Sequence, residues 1–292
     1  MSTRILPARR LASVPAFLLT SLIGIVLAGC QEPVIGPVVA ARVGPEANHA
    51  VPPIAQTLPA SGERSVLLGK SVGGRELRMW VLGDGTGADA NGPGGAPASA
   101  GTVFIVGGIH GDEPGGAALA QRFLEHLRAN PDLVKGKRVA VLPRANPDGL
   151  AAKTRVNAGG VDVNRNFPAS NRDANSAGRY SAGPAPASEP ESKAIIQAVD
   201  TLSPSRIISI HAISGGRQCN NWDGPAEELA RRMAARNGYP AKGAIGYPTP
   251  GSMGTWAGID RKIPMITLEL PEGLSAEDCW RDNQAALLEA IR

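Results

Sequence analysis

The sequence predicts an α/β fold, a single domain built on a mixed, mostly parallel, twisted sheet with helices on both faces. Three observations support this prediction. Apolar runs at residues 102–109, 206–210 and 264–270 are short and nearly continuous. Such runs are typical of parallel strands that are buried on both faces. Amphipathic segments separate these runs, and alternating strands and helices favour a sheet that is covered on both sides.

The individual elements follow from local patterns. Residues 75–83, preceded by Gly73-Gly74, predict a β-hairpin arm, and the Gly/Ala/Pro-rich residues 85–101 predict a surface loop. The strand at 102–109 is followed by a helix that Pro114 opens, with apolar side chains at helical spacing up to about residue 128. The remaining predicted elements are a strand at 138–142, a helix from the apparent capping box at 188–191 to 202, a strand at 206–210, a helix at 225–236, a strand at 264–270 and a helix at 282–291.

The first 29 residues have the pattern of a secretory signal. Arginines at positions 4, 9 and 10 precede an apolar stretch at 17–26, which is short for a membrane span. The stretch ends in Leu27-Ala28-Gly29-Cys30, which resembles a bacterial lipobox. We therefore expect residues 1–29 to be removed and Cys30 to carry lipid; an ordinary signal peptide with an incidental cysteine, or an uncleaved anchor, remains open. Gln31 rather than Asp follows, which favours the outer membrane and a periplasmic location.

Composition divides the rest of the chain in two. Residues 30–61 are rich in Pro and Ala and predict a tether, while residues 62–292 are long enough for one catalytic domain. The net charge of the whole chain is +4, but the three arginines of residues 1–29 contribute +3 of it. Because no basic run with interleaved aromatics is present, nucleic-acid binding is not expected. Membrane association is expected only through the lipid anchor, and the sequence does not indicate an oligomeric state.

Two cysteines remain besides Cys30. Cys219 follows His211 by eight residues, and Cys279 follows Glu269 by ten. If the two strands that carry His211 and Glu269 are neighbours, a disulfide across their exit loops is possible in an oxidising compartment. Two unpaired thiols are the alternative, and the sequence leaves both open.

Chemistry-bearing side chains follow three of the predicted strands. The motifs are HGDE at 110–113, SIHA at 209–212 and TLEL at 267–270. Ligands in α/β sheets bind where strands end and loops begin, so these motifs are expected to meet at one edge. Together they offer two imidazoles and two carboxylates.

Two histidines and one glutamate form a recognised ligand set for catalytic zinc, with a spare glutamate as general base. His110, Glu113 and His211 are the predicted ligands of one Zn²⁺ per chain, and Glu269 is the predicted base. A tight strand-to-helix turn at Gly111 and Pro114 would aim His110 and Glu113 at one point. Structural histidines, and an ion pair between Glu269 and an arginine, are the alternatives.

A Gly-rich loop between the first two motifs carries Arg155, Asn164 and Arg165. An arginine can hold a carboxylate through two parallel hydrogen bonds, and an asparagine adds a neutral one. This loop therefore predicts recognition of an anion. The nearby Asn146-Pro147-Asp148-Gly149 predicts a turn.

Five islands of sequence resemble the carboxypeptidase A-like zinc metallopeptidases. They are GGIHGDEPGG, RANPDG, GVDVNRNFP, SIHA and TLELP. Within that family, the segments TRVNAGGVDVNRNFP and GYPTPGSMGTW most resemble the murein peptide amidases. The resemblance implies that Asn164 and Arg165 grip a free carboxylate of the substrate, and that Arg155 polarises the scissile carbonyl. It also implies a tyrosine over the substrate at Tyr247, although the loop YPTPGSMGTW that begins there departs from the family pattern.

The function implied by this resemblance is zinc-dependent hydrolysis of an amide bond next to a free carboxylate in murein peptides. The expected bond joins γ-D-Glu to meso-diaminopimelate. Alternatives are a general zinc metallocarboxypeptidase, an N-acyl-amino-acid deacylase, and a lipoprotein that only binds wall peptides. The sequence marks no acidic residue for a pocket that holds a basic side chain; residues 218–223 predict a small polar loop that could pair with the far end of diaminopimelate.

Overall fold

The computed structural model describes residues 62–85 and 101–292 of the chain. The predicted signal peptide, Cys30, the tether and most of the Gly/Ala/Pro-rich loop lie outside these residues. Across the two described stretches, every helix is too short or too polar to cross a bilayer.

One sheet of eight strands organises the domain. Its strands are β1 (Arg64–Lys70), β2 (Glu76–Leu82), β3 (Thr102–Gly107), β4 (Arg138–Leu142), β5 (Arg206–Ile213), β6 (Cys219–Asp223), β7 (Ala241–Lys242) and β8 (Met265–Pro271). Their spatial order is β1-β2-β4-β3-β5-β8-β6-β7. The central strands β4, β3, β5 and β8 are parallel, while the β1–β2 hairpin and β6 pair antiparallel at the two sides. The sheet is therefore mixed with a parallel centre, as predicted.

Five helices cover the sheet. They are α1 (Pro114–Ala129), α2 (Pro147–Ala152), α3 (Pro190–Leu202), α4 (Glu227–Asn237) and α5 (Ala276–Ala290). Apolar side chains of α1, α4 and α5, such as Phe123, Met233 and Leu287, form one core against the sheet. A second core on the opposite face packs α3, represented by Ile195 and Val199, against the same strands. Buried strands between two helical layers explain why β3 is apolar throughout.

Three local predictions are wrong. The helix α3 has no capping box, because Glu189 is its N-cap and makes no side-chain cap bond; the Ser188 hydroxyl donates to Glu189 Oε1 instead. The last helix starts six residues earlier than predicted, where the Ser275 hydroxyl accepts from the Asp278 N–H. The predicted polar loop at 218–223 is largely strand β6.

Asn146 begins a short helix as well as a turn. Its side-chain oxygen accepts from the Gly149 N–H at 2.9 Å and caps α2, and its amide donates to the Ile109 carbonyl at 3.1 Å. The carboxylate of Asp148 accepts from Arg75 and from the Gly73 N–H. The segment therefore fixes the end of β3 relative to the hairpin, which is a scaffolding role.

Candidate active site

A tight turn after β3 brings His110 and Glu113 together. Gly108 adopts a φ of +66°, which suits glycine, and Gly111 packs so closely on α2 that a Cβ there would lie 1.9 Å from the Gly149 carbonyl carbon. The chain thus reverses direction before α1 begins at Pro114. As a result, His110 Nδ1 lies 2.9 Å from Glu113 Oε1.

His211 reaches the same point from β5. Its Nδ1 lies 3.1 Å from His110 Nδ1 and 3.1 Å from Glu113 Oε2. Each of the three residues offers one ligand atom, and these three atoms all lie within 4.8 Å of one another. The outer ring nitrogens are held separately, because His110 Nε2 lies 3.1 Å from Asp162 Oδ1 and His211 Nε2 lies 3.0 Å from the Ser209 hydroxyl. Partners of this kind fix the orientation of metal-binding imidazoles.

The chemistry of this cluster fits zinc. The Nδ1 atoms of the two imidazoles lie 3.1 Å apart, so they can share a hydrogen bond or both turn a lone pair towards one cation. Burial lowers the pKa of His110, but the charges of Glu113 and Asp162 outweigh it and raise that pKa to about 9. Against the opposing effect of burial, the two histidines hold the pKa of Glu113 well below its usual range. The cluster therefore stabilises a cation, and two neutral imidazoles with one carboxylate are the donors that catalytic zinc uses.

Glu269 lies beside the cluster on β8. Its Cα is the register partner of His211 on the neighbouring parallel strand, so both side chains project from the same face of the sheet. The residue is 6% exposed, and burial together with the charge of Glu113 raises its pKa to about 8. Among the described residues, no basic side chain lies within 4.0 Å of its carboxylate, which removes the ion-pair alternative.

The Gly-rich loop brings three more polar side chains to the cluster. Arg155 donates to Asp162 Oδ2 at 2.8 Å and to Glu113 Oε1 at 3.1 Å. The side-chain oxygen of Asn164 accepts from the Met253 N–H at 2.9 Å, which leaves its amide hydrogens for a ligand. Asn164 and the adjacent Arg165 line the same cavity as the cluster.

Arg165 is a buried cation that interacts electrostatically with the Asp162 carboxylate without a direct ion pair. It is 4% exposed and donates to the Asn164 carbonyl at 2.7 Å. Within residues 62–85 and 101–292, its guanidinium forms no ion pair within 4.0 Å. Burial lowers its pKa. Because a buried unpaired charge is costly, the arginine is suited to a ligand that brings a carboxylate.

All eight predicted site residues of the catalytic domain line one cavity of about 230 Å³, which we call the inner cleft. They are His110, Glu113, Arg155, Asn164, Arg165, His211, Tyr247 and Glu269. Tyr247 stands at the rim with 44% of its surface exposed. Cys30, the ninth predicted site residue, lies outside the described residues.

Two acidic residues of the site have no individual role in the sequence predictions, although Asp223 belongs to the polar segment 218–223. Asp162 is fully buried and contacts His110, Arg155 and the Asn164 N–H at distances of 2.8–3.1 Å. Asp223, at the end of β6, lines the inner cleft, and burial raises its pKa to about 6. The expectation that no acid marks the pocket is therefore wrong. Asp162 could have been suspected from its place two residues before Asn164.

The carboxylate of Asp223 has no cationic partner within 4.0 Å in the part of the chain that the structure describes. Its surroundings are close-packed, since a Cβ at Gly254 would lie 2.4 Å from Asp223 Oδ2. The inner cleft thus contains a buried cation, Arg165, and a partly buried carboxylate, Asp223, and neither forms an ion pair in the described part of the chain. The Asn221 side-chain amide donates to Asp223 Oδ2 at 3.5 Å.

The two remaining cysteines are buried free thiols. Cys219 begins β6 and is the register partner of Glu269, while Cys279 lies in α5 beside Gly115 of α1. The structure therefore shows the unpaired alternative for Cys219 and Cys279.

Comparisons with known proteins agree with this architecture. Residues 63–220 match the family model described as zinc carboxypeptidase. Murein peptide amidase A of Escherichia coli K12 is 33% identical over 201 residues, which cover 65% of this chain and 78% of that protein. Carboxypeptidase SOL1 of Arabidopsis thaliana is 28% identical over 267 residues, 77% of this chain and 50% of that protein.

Solved structures show the same fold. Murein-tripeptide amidase MpaA from Escherichia coli O157 superposes with a TM-score of 0.59 at 26% identity, over 81% of this chain and 94% of that one. Bovine thrombin-activatable fibrinolysis inhibitor superposes with a TM-score of 0.62 at 18% identity, over 79% of this chain and 88% of that one. Three findings agree: residues 63–220 match the family model, murein peptide amidase A is 33% identical in sequence, and the His-Glu-His cluster fits zinc. The chain therefore belongs to the zinc carboxypeptidase family and is a zinc-dependent metallopeptidase.

Proposed function

We propose that the chain hydrolyses the amide bond between γ-D-glutamate and meso-diaminopimelate in murein peptides. The observation that carries this proposal is that the inner cleft is lined by two opposite charges without an ion-pair partner among the described residues, the buried Arg165 and the partly buried Asp223. Diaminopimelate complements both, because it offers a free α-carboxylate beside the scissile bond and an ammonium at the far end of its side chain. The likeness to murein peptide amidase A and to MpaA supports the same substrate.

The leaving amino acid is bound on the inner side of the cluster. Arg165 donates hydrogen bonds to its α-carboxylate, and the free amide hydrogens of Asn164 add a further bond. Asp223 pairs with the distal ammonium, which replaces the water that a buried carboxylate has lost. Asn221, beside Asp223 on β6, lines the same cleft and can donate to the distal carboxylate.

The reaction then needs a base and an acceptor for the developing charge. His110, Glu113 and His211 would hold zinc, and the bound metal would supply Lewis-acid chemistry. Glu269 accepts the proton of the attacking water and passes it to the leaving amine. Arg155, which Asp162 and Glu113 orient, stabilises the negative charge that develops on the carbonyl oxygen. Tyr247 covers the bound peptide at the rim.

A second candidate function is a carboxypeptidase that removes a C-terminal basic residue. Asp223 favours this alternative too, because a lysine side chain also ends in an ammonium. The likeness to carboxypeptidase SOL1, of which the matched segment spans half, supports carboxypeptidase activity without indicating which residue is removed. The two candidates differ in the acyl group, which is a γ-linked D-residue in one and an α-linked L-residue in the other.

The test supplies purified protein with three peptides and measures the released amino acid by mass spectrometry. The peptides are L-Ala-γ-D-Glu-meso-diaminopimelate, an L-dipeptide ending in lysine and an L-dipeptide ending in a hydrophobic residue. We expect release of diaminopimelate at a rate at least ten times that of either other amino acid. Cleavage of the dipeptides alone would refute the murein assignment.

We also propose that the enzyme is attached to the periplasmic side of the outer membrane through lipid on Cys30. The support is the sequence Leu27-Ala28-Gly29-Cys30 with Gln31 after it. Cells fed labelled palmitate should label the wild-type protein and not a Cys30→Ser variant. Label on both proteins, or on neither, would contradict the anchor.

A further inference from the structure

A second depression adjoins the cluster on the side away from Asp223. Its volume is about 390 Å³, and we call it the outer basin. Its polar lining includes Asp112, Arg155, Arg179, Arg217, Tyr247 and Glu272. It shares Glu113, Arg155 and Tyr247 with the inner cleft, so the two depressions meet at the metal-ligand cluster. A peptide whose leaving amino acid fills the inner cleft must therefore place its acyl group in the outer basin.

The arginines of the outer basin differ in what they already contact. Arg155 is held by Asp162 and Glu113, and Arg179 pairs with Asp112 at 3.1 Å. Arg217 donates through Nε to the Ser214 carbonyl at 3.0 Å. In the described residues, no carboxylate lies within 4.0 Å of the Arg217 guanidinium.

Arg217 also contacts the ring of Tyr247 at the junction of the two depressions. Its guanidinium carbon lies 5.8 Å from the centroid of the Tyr247 ring, within the range of a cation–π contact. Tyr247 stands at the junction of both depressions. The bond to Ser214 and the ring together orient the arginine while its terminal N–H groups remain for a ligand. This is the arrangement expected of a residue that recognises an anion at the acyl side.

We infer that Arg217 binds the α-carboxylate of the γ-linked D-glutamate and thereby selects an anionic acyl group. This inference rests on the proposed function. In a γ-glutamyl amide the α-carboxylate stays free and is separated from the scissile carbonyl by a short alkyl chain, so it enters the outer basin together with that carbonyl. Arg217 is the cation of the basin that the protein has not already paired.

Glu272 lines the same basin and carries the opposite charge. It follows β8 directly, and its N–H donates to the Ile213 carbonyl at 3.1 Å. A carboxylate of the substrate gains nothing from this residue. Glu272 therefore offers a matched control, since its neutral variant alters the same basin without removing the proposed anion partner.

The test compares two substrates that differ only in charge at this position. One is L-Ala-γ-D-Glu-meso-diaminopimelate, and the other carries an α-carboxamide in place of the D-glutamate α-carboxylate. We expect the wild-type kcat/KM to favour the carboxylate peptide about tenfold, as for one partly exposed charge-assisted pair. Arg217→Gln should bring this ratio close to one, mainly by slowing cleavage of the carboxylate peptide. Raised ionic strength should lower the wild-type ratio.

The controls are Arg179→Gln and Glu272→Gln, both of which should keep the ratio at or above the wild-type value. Equal cleavage of the two peptides by the wild-type enzyme would overturn the inference and leave the proposed function intact. A ratio lost in Arg179→Gln and kept in Arg217→Gln would also overturn it. If neither peptide is cleaved while dipeptides are, the proposed function itself fails.

Discussion

The inner cleft and the outer basin meet at one cluster of metal ligands, yet they hold their charges in different ways. In the inner cleft, Arg165 and Asp223 are largely buried and have no ionic partner in the described part of the chain. In the outer basin, Arg179 is exposed and already paired with Asp112. A buried unpaired charge costs several kcal/mol, whereas an exposed ion pair contributes about 0–1 kcal/mol.

This difference indicates which depression is expected to contribute most of the binding energy for the substrate. The inner cleft gains most from a ligand, because a substrate supplies the partners that the fold leaves out. The outer basin can only adjust specificity, because its charges are already solvated or paired. Four substitutions test this difference between the two depressions, and their expected effects decrease in the order given.

The largest effect is expected from Glu269→Gln beside the inner cleft. The amide keeps the size of the side chain but cannot accept a proton, so kcat should fall about 10²–10⁴-fold. Zinc content, measured by elemental analysis of the purified protein, should stay at one per chain. Glu272→Gln, three residues further along, is the control and should retain turnover. Activity that survives Glu269→Gln would refute the assigned base.

Arg165→Gln should lower kcat/KM about 10²-fold, because a buried charge-assisted pair with the substrate is lost. A substrate whose diaminopimelate α-carboxylate is amidated should lose a similar factor with the wild-type enzyme. Combining the variant with the amidated substrate should add little further loss, since both remove one interaction. Additive losses would mean that Arg165 acts elsewhere.

Asp162→Asn tests the carboxylate that contacts His110 Nε2, the ring nitrogen on the side away from Glu113. Removing this partner should weaken zinc binding about 10–100-fold, measured by competition with a chelator. Asp112→Asn, in the turn that carries His110, is the matched control because the Asp112 carboxylate forms its ion pair with the exposed Arg179 and makes no hydrogen bond to His110 in the described part of the chain. Equal zinc affinities for Asp162→Asn and the wild type would contradict the assigned position of Asp162.

The smallest effect concerns stability at Asp223. Burial raises the pKa of this carboxyl from 3.8 to about 6, so the folded protein binds the proton more tightly than the unfolded chain. The stability that protonation contributes is present below about pH 4 and is lost as pH rises through 6. Asp223→Asn should therefore be more stable than the wild type at pH 7.5, by on the order of 2 kcal/mol, and equal at pH 4.

Denaturant titrations at both pH values measure that difference. At pH 7.5 the same variant should also lose preference for diaminopimelate over a neutral analogue. A stability gain that is identical at pH 4 and pH 7.5 would show that the buried charge is not its cause.

Much of the fold followed from the sequence because its central strands are apolar on both faces. The metal ligands were predictable for the same reason, since polar side chains stand out where such strands end. His110, Glu113, His211 and Glu269 all occupy these ends.

Asp223 was missed because β6 does not have the pattern of a strand. The strand contains polar side chains whose partners are distant in sequence: the Asn220 side-chain amide donates to the Asn237 side chain and to the Tyr239 carbonyl. Asp162 was missed because its main partner, His110, lies 52 residues earlier in the chain. Contacts of this kind are set by tertiary packing and leave no local periodicity in the sequence.

The most direct test of the central claim is mass spectrometry of a murein peptide pool after incubation with the enzyme, with and without a zinc chelator. The account predicts free diaminopimelate and the dipeptide L-Ala-D-Glu from the tripeptide, no products with chelator present, and recovery when zinc is restored. Chelator-insensitive release, or products that lack only a C-terminal D-alanine, would contradict it.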